Sequence, residues 1–202
     1  MILYGASGHA KVVKDIVEAN GDTVSCFLDD NPNVNEVHGI KVLHDGKEIA
    51  EPLIVTIGDN ATRKNIVGKL SVSYGKAVHP AAIVSPRAVV GEGSVVMQGA
   101  IVQADAEVGR HCIVNSGASI DHECRLDDFV HVSPHATLCG NVTVGEGTWI
   151  GAGATVIQGI RVGKWCVVGA GSVVTHDVPD YSLVAGSRPL TIKKAFYKSR
   201  HS

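Results

Sequence analysis

Aliphatic residues recur at every sixth position from Val78 to Val174. Seventeen hexads follow one another without interruption over this stretch, and Val, Ile or Leu begins each of them. The fifth position of every hexad is small or aliphatic and is never charged or aromatic. An ordinary β-sandwich would show alternation at irregular spacing, whereas an unbroken six-residue phase predicts a parallel β-helix. Three hexads then form one coil of about 18 residues, with the aliphatic side chains inside.

The same phase sorts the other positions into three faces and three corners. Since residues about 18 apart stack on one another, it predicts one apolar outward stripe, formed by Val95, Ile113, His131, Trp149 and Val167. An apolar stripe on an outer surface predicts a contact with another subunit. Two corner columns also follow from the phase: one holds His122, Gly140, Gln158 and His176, and another holds Ala152 and Ala170.

The first seventy or so residues follow a different pattern. The runs "MILYG", "TVSCFLDD" and "PLIVTIGDN" predict strands, and "GHAKVVKDIVEAN" and "ATRKNIVGKL" predict amphipathic helices. Strands that alternate with helices indicate a small parallel sheet of the Rossmann-like α/β type. We therefore predict a Rossmann-like domain over residues 1–76, a β-helix domain over residues 77–180 and a C-terminal tail over residues 181–202.

A glycine-containing loop, "GASGH", joins the first predicted strand to the first predicted helix. Glycines at this place let a phosphate approach the backbone N–H groups of the helix start. Asp29 and Asp30 end the second predicted strand, where a ribose-binding acid is expected in such folds. The loop reads Gly-x-x-Gly rather than Gly-x-Gly-x-x-Gly, so from the loop alone a plain tight turn without a ligand remains the alternative.

Composition narrows the classes of function. The net charge is −2 and no basic stripe precedes the short basic tail, so nucleic acid is not an expected partner. The chain shows no signal peptide and no long apolar run, which predicts a cytoplasmic protein without membrane insertion. Its five cysteines lack paired spacing and are expected to be reduced thiols. His131 and His135 fall on different faces of the predicted coil, so no metal site is expected.

Seven short motifs carry a resemblance that covers nearly the whole chain. They are "YGASGHAK", "FLDD", "IGDNATRK", "HP", "DHEC", "HVSP" and "CGNV". In this order they resemble the bacterial sugar acetyltransferases that make bacillosamine-type and perosamine-type amino sugars, together with the related sialic-acid O-acetyltransferases. The resemblance implies a left-handed β-helix, an acetyl-CoA co-substrate without a metal, and a homotrimer with active sites between subunits.

The resemblance also implies roles for individual residues. His122 would be the general base, and Glu123 beside it would raise its basicity. Gly140 would offer its backbone N–H to the thioester carbonyl. The acetyl-CoA site would be lined by His131, Gly140, Ala152 and Ala170, and the nucleotide sugar would be bound by Ser7, Gly8, His9, Asp29, Asp30 and Gly58.

Several alternatives stay open at the level of the sequence. The leading acceptor is the 4-amino group of a UDP-linked 4-amino-6-deoxy sugar, with a GDP-linked sugar close behind. O-acetylation of a sialic acid or another sugar is the runner-up, and a non-catalytic trimeric scaffold is the alternative outside enzymes. Cys124 follows His122 closely, but its inward position predicts packing rather than nucleophilic catalysis.

Overall fold

The computed structural model describes residues 1–45, 51–186 and 191–194. Its N-terminal region is a small sheet with two helices. The strands are β1 (Ile2–Tyr4), β2 (Cys26–Leu28), β3 (Glu36–Val37), β4 (Ile40–Leu43) and β5 (Leu53–Val55), and the helices are α1 (Gly8–Ala19) and α2 (Asn60–Val67). The three strands and two helices expected from the sequence are all present.

The N-terminal sheet has the order β3-β4-β2-β1-β5. Strand β1 pairs in parallel with β2 and β5, and β2 pairs in parallel with β4. This is the parallel α/β arrangement that the alternating pattern predicts. The antiparallel pair β3–β4 was not predicted. It turns at His38 and Gly39, both in the left-handed region with φ of 49° and 79°, as a two-residue hairpin requires.

The hexads form seventeen two-residue strands that run in parallel on three sheets of a β-helix. The first sheet contains β7 (Ile83–Val84), β10 (Ile101–Val102), β13 (Ser119–Ile120), β16 (Thr137–Leu138), β19 (Thr155–Val156) and β22 (Val173–Val174). The second sheet contains β8 (Val89–Val90), β11 (Glu107–Val108), β14 (Arg125–Leu126), β17 (Thr143–Val144) and β20 (Arg161–Val162). The third sheet begins with β6 (Ala77–Val78), β9 (Val95–Val96), β12 (Ile113–Val114), β15 (His131–Val132), β18 (Trp149–Ile150) and β21 (Val167–Val168).

Two further strands extend the third sheet beyond the hexads. Strand β23 (Ser182–Ala185) pairs in parallel with β21, and β24 (Thr191–Lys194) pairs with β23 in the antiparallel sense. The third sheet thereby reaches eight strands. Inside the β-helix, the aliphatic residues that begin the hexads pack into one continuous core. The β-helix predicted from the six-residue phase is confirmed, with residues 18 apart as register partners, for example Ile101 with Ser119.

Helix α2 and the end of the N-terminal region dock on one corner of the β-helix. At this corner, between the second and third sheets, one column holds Gly93, His111, Phe129, Gly147 and Trp165, which we call the aromatic corner. All five residues adopt the left-handed conformation, with φ between 54° and 72°. The His111 ring stacks on Phe129 with centroids 5.1 Å apart, and Tyr74 meets it edge-on at 4.5 Å. These stacked rings are therefore part of the contact between the N-terminal region and the β-helix, which we call the joint.

The N-terminal region also covers part of the stripe that was expected to contact another subunit. Val95 and Ile113 are 1% and 2% exposed, because they pack against residues of α1 and the N-terminal sheet. For these two residues the subunit-contact prediction was wrong, since the same chain buries them. Farther along the stripe, Trp149 remains 46% exposed. Across the described ranges, neither helix is long and apolar enough to cross a bilayer.

Candidate active site

His122 lies at the corner that follows β13, with its ring at the surface. The carboxylate of Asp121 accepts a hydrogen bond from the His122 backbone N–H at 2.8 Å and so fixes the turn. Glu123 adopts the left-handed conformation with φ of 59°, and its Oε2 lies 3.1 Å from Nδ1 of the neighbouring imidazole. A carboxylate in that position favours the tautomer that carries its proton on Nδ1. The lone pair of Nε2 is then available to accept a proton.

Gly140 lies one coil above His122, and only a glycine leaves room for the ring there. A Cβ atom built on Gly140 would come within 2.6 Å of His122 Cε1 and 2.7 Å of Nε2. The Cε1–Nε2 edge of the imidazole therefore lies directly against this glycine. In the part of the chain that the structure describes, the Gly140 N–H donates no hydrogen bond to a protein acceptor. A backbone donor without a partner beside a base is the geometry that stabilises a developing oxyanion.

A cleft of about 560 Å³ surrounds these groups. It is lined by Asp121, His122, Cys139, Gly140, Asn141, Gln158 and Gly159. Cys124 is fully buried beneath the corner and its Sγ lies 3.1 Å from the carbonyl oxygen of Cys139. Burial raises the pKa of the Cys124 thiol, which disfavours the nucleophilic thiolate. The structure thus supports an imidazole base at this cleft and packing for Cys124.

A second group of polar side chains lies on the third sheet, beneath the N-terminal region. His131 lies against the backbone of Gly58, and its Nε2 lies 3.2 Å from the side-chain amide of Asn115. Burial, with Arg63 and then His9 as further causes, lowers the pKa of His131 to about 3. Burial and the charge of Arg63 likewise lower the pKa of His9 to about 4, and His9 Nε2 is buried without a hydrogen-bond partner among the described residues. Both imidazoles are therefore neutral at pH 7.

The loop from Gly5 to Gly8 borders the same group. Gly5 has φ of 107°, and a Cβ there would lie 2.8 Å from Ile57 Cδ1, so this turn requires glycine. Ser7 precedes α1 but makes no side-chain cap, and the space beside the Gly8 Cα is open. The exposed N-terminus of a twelve-residue helix is suited to an anion.

Asp29 braces this loop from the neighbouring strand end. Its Oδ2 accepts the Ala6 N–H at 2.7 Å, and its Oδ1 accepts the Asn31 N–H at 2.8 Å. Asp30 is exposed and accepts a hydrogen bond from the Tyr4 hydroxyl at 2.7 Å. Burial and this hydrogen bond raise the pKa of Tyr4 to about 12, so the hydroxyl stays a donor. Asp29 thus shapes the loop, while Asp30 presents its carboxylate to solvent.

The expected site residues fall into three places within one chain. His122, Glu123 and Gly140 meet at the first corner, whereas His9 and Gly58 lie near His131, and Ser7 and Gly8 precede His9 in the loop. Ala152 and Ala170 are exposed at the corner between the third and first sheets, where the Gly171 N–H donates to the Ala152 carbonyl at 2.9 Å. His131 was expected on the acetyl-CoA side, and the structure places it against two residues expected to bind the nucleotide sugar. The sequence reasoning missed Asn115 and Arg63, although Arg63 lies within the motif "IGDNATRK".

Replacing Asp29 by alanine should weaken nucleotide-sugar binding about tenfold with little effect on acetyl-CoA. The reason is that the loss frees two backbone N–H groups and loosens the loop that leads into α1. Calorimetric titration with each substrate would measure both affinities. An equal loss of both would indicate a folding defect rather than a local one.

Comparison with known proteins identifies two segments by family model. Residues 1–70 match the PglD N-terminal domain, and residues 141–176 match the bacterial transferase hexapeptide (six repeats) model. A UDP-N-acetylbacillosamine N-acetyltransferase of Bacillus subtilis is 41% identical over 104 residues. That alignment covers 45% of this chain and 47% of the relative, so it spans about half the length of that protein.

Solved structures match almost the full length. A mutant of perosamine N-acetyltransferase from Caulobacter crescentus, in complex with CoA and GDP-perosamine, is 39% identical with a TM-score of 0.90, and the match covers 95% of each chain. The acetyltransferase domain of PglB from Neisseria gonorrhoeae is 37% identical with a TM-score of 0.87, covering 95% of this chain and 98% of that one. The same domain has also been solved in complex with acetyl coenzyme A. These relatives confirm the resemblance inferred from the motifs.

Proposed function

This chain belongs to the family of hexapeptide-repeat acetyltransferases that includes the bacillosamine-type and perosamine-type N-acetyltransferases, and we propose that it acetylates the 4-amino group of a nucleotide-linked 4-amino-6-deoxy sugar with acetyl-CoA. The observation that carries the proposal is the corner at which His122, oriented by Glu123, lies against Gly140, whose N–H no described residue accepts. A scaffold without activity would need neither feature.

The mechanism is direct transfer between two bound substrates. The sugar amine attacks the thioester carbonyl carbon while Nε2 of His122 accepts a proton from the amine nitrogen. The carbonyl oxygen becomes negative, and the Gly140 N–H donates a hydrogen bond to it. When the C–S bond breaks, the coenzyme A thiolate takes the proton from the imidazolium. The products are the N-acetyl sugar and free coenzyme A, without an acyl-enzyme.

The N-terminal region supplies the nucleotide-sugar site in this proposal. The open N-terminus of α1 and the loop at Gly8 suit the diphosphate, and the exposed carboxylate of Asp30 suits a ribose hydroxyl. His9, Gly58 and His131 lie toward the sugar. The relatives include a UDP-named enzyme and a complex with a GDP-linked sugar, so both carriers belong in the test. Five free thiols suit a reducing compartment, which supports a cytoplasmic reaction.

We propose that the complete site forms between chains of a homotrimer. Within one chain, His122 lies at the corner after the first sheet while His131 lies on the third sheet. A neighbouring chain that brings its third sheet and its Ala152–Ala170 corner to the His122 cleft would complete the site. Sedimentation should then give a mass of about 63 kDa, three times the 21.1 kDa of the chain. A stable monomer that is fully active would contradict this arrangement.

The function itself is tested by free-thiol release from acetyl-CoA with a small panel of acceptors. The panel contains UDP-linked and GDP-linked 4-amino-6-deoxy sugars and free neuraminic acids. Fast release with one nucleotide amino sugar is the expected result and identifies the carrier base. Thiol release only with a free sialic acid would assign O-acetylation instead. No thiol release with any acceptor, together with no binding of acetyl-CoA, would favour the non-catalytic scaffold.

A further inference from the structure

Arg63, on α2, is 1% exposed and donates hydrogen bonds through all three nitrogens of its guanidinium group. Nε donates to the His111 carbonyl at 2.9 Å, and Nη1 donates to the carbonyls of Ile57 at 2.8 Å and Gly58 at 3.2 Å. Nη2 donates to Asn60 Oδ1 at 2.7 Å and to the Phe129 carbonyl at 3.0 Å. The fork of donors thus joins backbone groups from two separate parts of the fold.

The accepting carbonyls belong to the joint between the N-terminal region and the β-helix. His111 and Phe129 are neighbours in the aromatic corner, one coil apart, whereas Ile57 and Gly58 form the loop between β5 and α2. Asn60 extends the contact to a third coil, since its side-chain amide donates to the carbonyls of Gly147 at 3.0 Å and Thr148 at 3.3 Å. One planar guanidinium can satisfy such divergent acceptors, and a lysine ammonium cannot.

This loop is also the one that contacts the His131 ring. The Gly58 carbonyl accepts a hydrogen bond from Arg63, and the Gly58 backbone lies against His131, so Arg63 acts on His131 through a shared loop residue. Asn115 holds the ring from the other side at 3.2 Å, and Trp149 stacks beside it with ring centroids 6.2 Å apart. A shift of the β5–α2 loop would therefore move the N-terminal region relative to the His131 ring on the β-helix.

We infer that Arg63 is a positioning residue that fixes the β5–α2 loop on the β-helix and thereby sets the position of His131 toward the bound sugar. The inference rests on the proposed function for the identity of the sugar. Arg63 touches neither substrate in this account. Its effect passes through Gly58. Its charge adds to burial in lowering the pKa of three imidazoles near it, those of His9, His111 and His131.

The first test compares Arg63→Gln, Arg63→Lys and a control, Arg161→Gln, at an exposed arginine of the second sheet. The lysine retains the positive charge but loses most of the hydrogen bonds of the guanidinium group. The glutamine loses the charge as well as most of these hydrogen bonds. We expect Arg63→Gln to raise KM for the nucleotide sugar at least tenfold and to lower kcat about tenfold, because the reacting groups are displaced. Arg63→Lys should recover part of each loss, and acetyl-CoA affinity should stay within twofold. The control should behave as the parent.

The second test follows the histidine resonances by NMR during a pH titration, which requires no activity. In the parent, His9 should titrate near pH 4 and His131 near pH 3. In Arg63→Gln the pKa of His131 should rise but stay below 6.5, because burial is the larger cause of its lowering. In Arg63→Lys it should stay lower, because a cation remains. The titration reports the charge that His131 senses in the folded protein, and a change in stability alone would not shift it; the KM and kcat of the two variants report the positioning.

Distinct outcomes overturn the two proposals. Unchanged KM and kcat in a folded Arg63→Gln variant would overturn the role of Arg63, and so would loss of folding in both variants, which would leave a purely structural role. If the parent releases no thiol with any acceptor, the proposed function fails. The titration and the binding of nucleoside diphosphates would then still decide whether Arg63 positions the joint.

Discussion

Replacing His122 by alanine should lower turnover at least ~10²-fold and leave the affinity for acetyl-CoA nearly unchanged. A loss of this size is expected when a general base is removed, because the amine can still attack but must release its proton to solvent. The affinity should persist since the His122 side chain is 58% exposed in the chain, so its removal does not disturb the core that shapes the cofactor site. Steady-state thiol release gives kcat, and calorimetric titration gives the acetyl-CoA affinity.

His176→Ala is the matched control for this prediction. His176 occupies the same corner column three coils away and its Nδ1 pairs locally with the Thr175 hydroxyl at 2.9 Å. Its removal should leave turnover within about twofold of the parent. Intact turnover in His122→Ala would remove the base from the mechanism, and an equal loss in both variants would point to damage of the corner rather than to chemistry.

The hexad phase was enough to predict the β-helix because the interior of this fold is set by local repetition. Each coil places the same position of the hexad inside, so burial and register follow from counting. Counting in steps of 18 also stacks Gly140 on His122, and the fold does hold the glycine against the ring. The candidate base and its glycine were thus accessible from the sequence because they share one coil-to-coil column.

The contacts between the N-terminal region and the β-helix could not be predicted from the repeat. The outward stripe was correctly apolar, but nothing in its pattern says that the chain itself covers Val95 and Ile113. Arg63 lies in a polar helix with a short apolar face, and a charged residue there is normally solvated. Its burial depends on how α2 meets carbonyls of two coils, 48 and 66 residues away in the sequence. Long-range placement of this kind leaves no periodic signal.

Replacing Gly140 by alanine should lower turnover about 10²-fold even though the base itself remains. The added methyl would lie 2.6–2.7 Å from the Cε1–Nε2 edge of His122, closer than such atoms can pack. Because His122 is an exposed side chain, its ring can rotate away at little cost, so the fold should persist while the base moves off its position. Gly140 does not adopt a positive φ, so alanine adds no backbone strain. Displacement of a reacting group by about 1 Å can cost 10²-fold.

A double-mutant cycle distinguishes displacement of the base from a separate loss at the oxyanion donor. Alanine retains the backbone N–H at position 140, so Gly140→Ala should act only through the imidazole. In the His122→Ala background the ring is absent and the added methyl meets nothing, so the second substitution should cost less than about threefold. The two single losses would then be strongly non-additive, as expected for neighbours that act as one unit. Additive losses would instead show that the methyl blocks the thioester itself, and they would place the acetyl group directly on Gly140 rather than beside it.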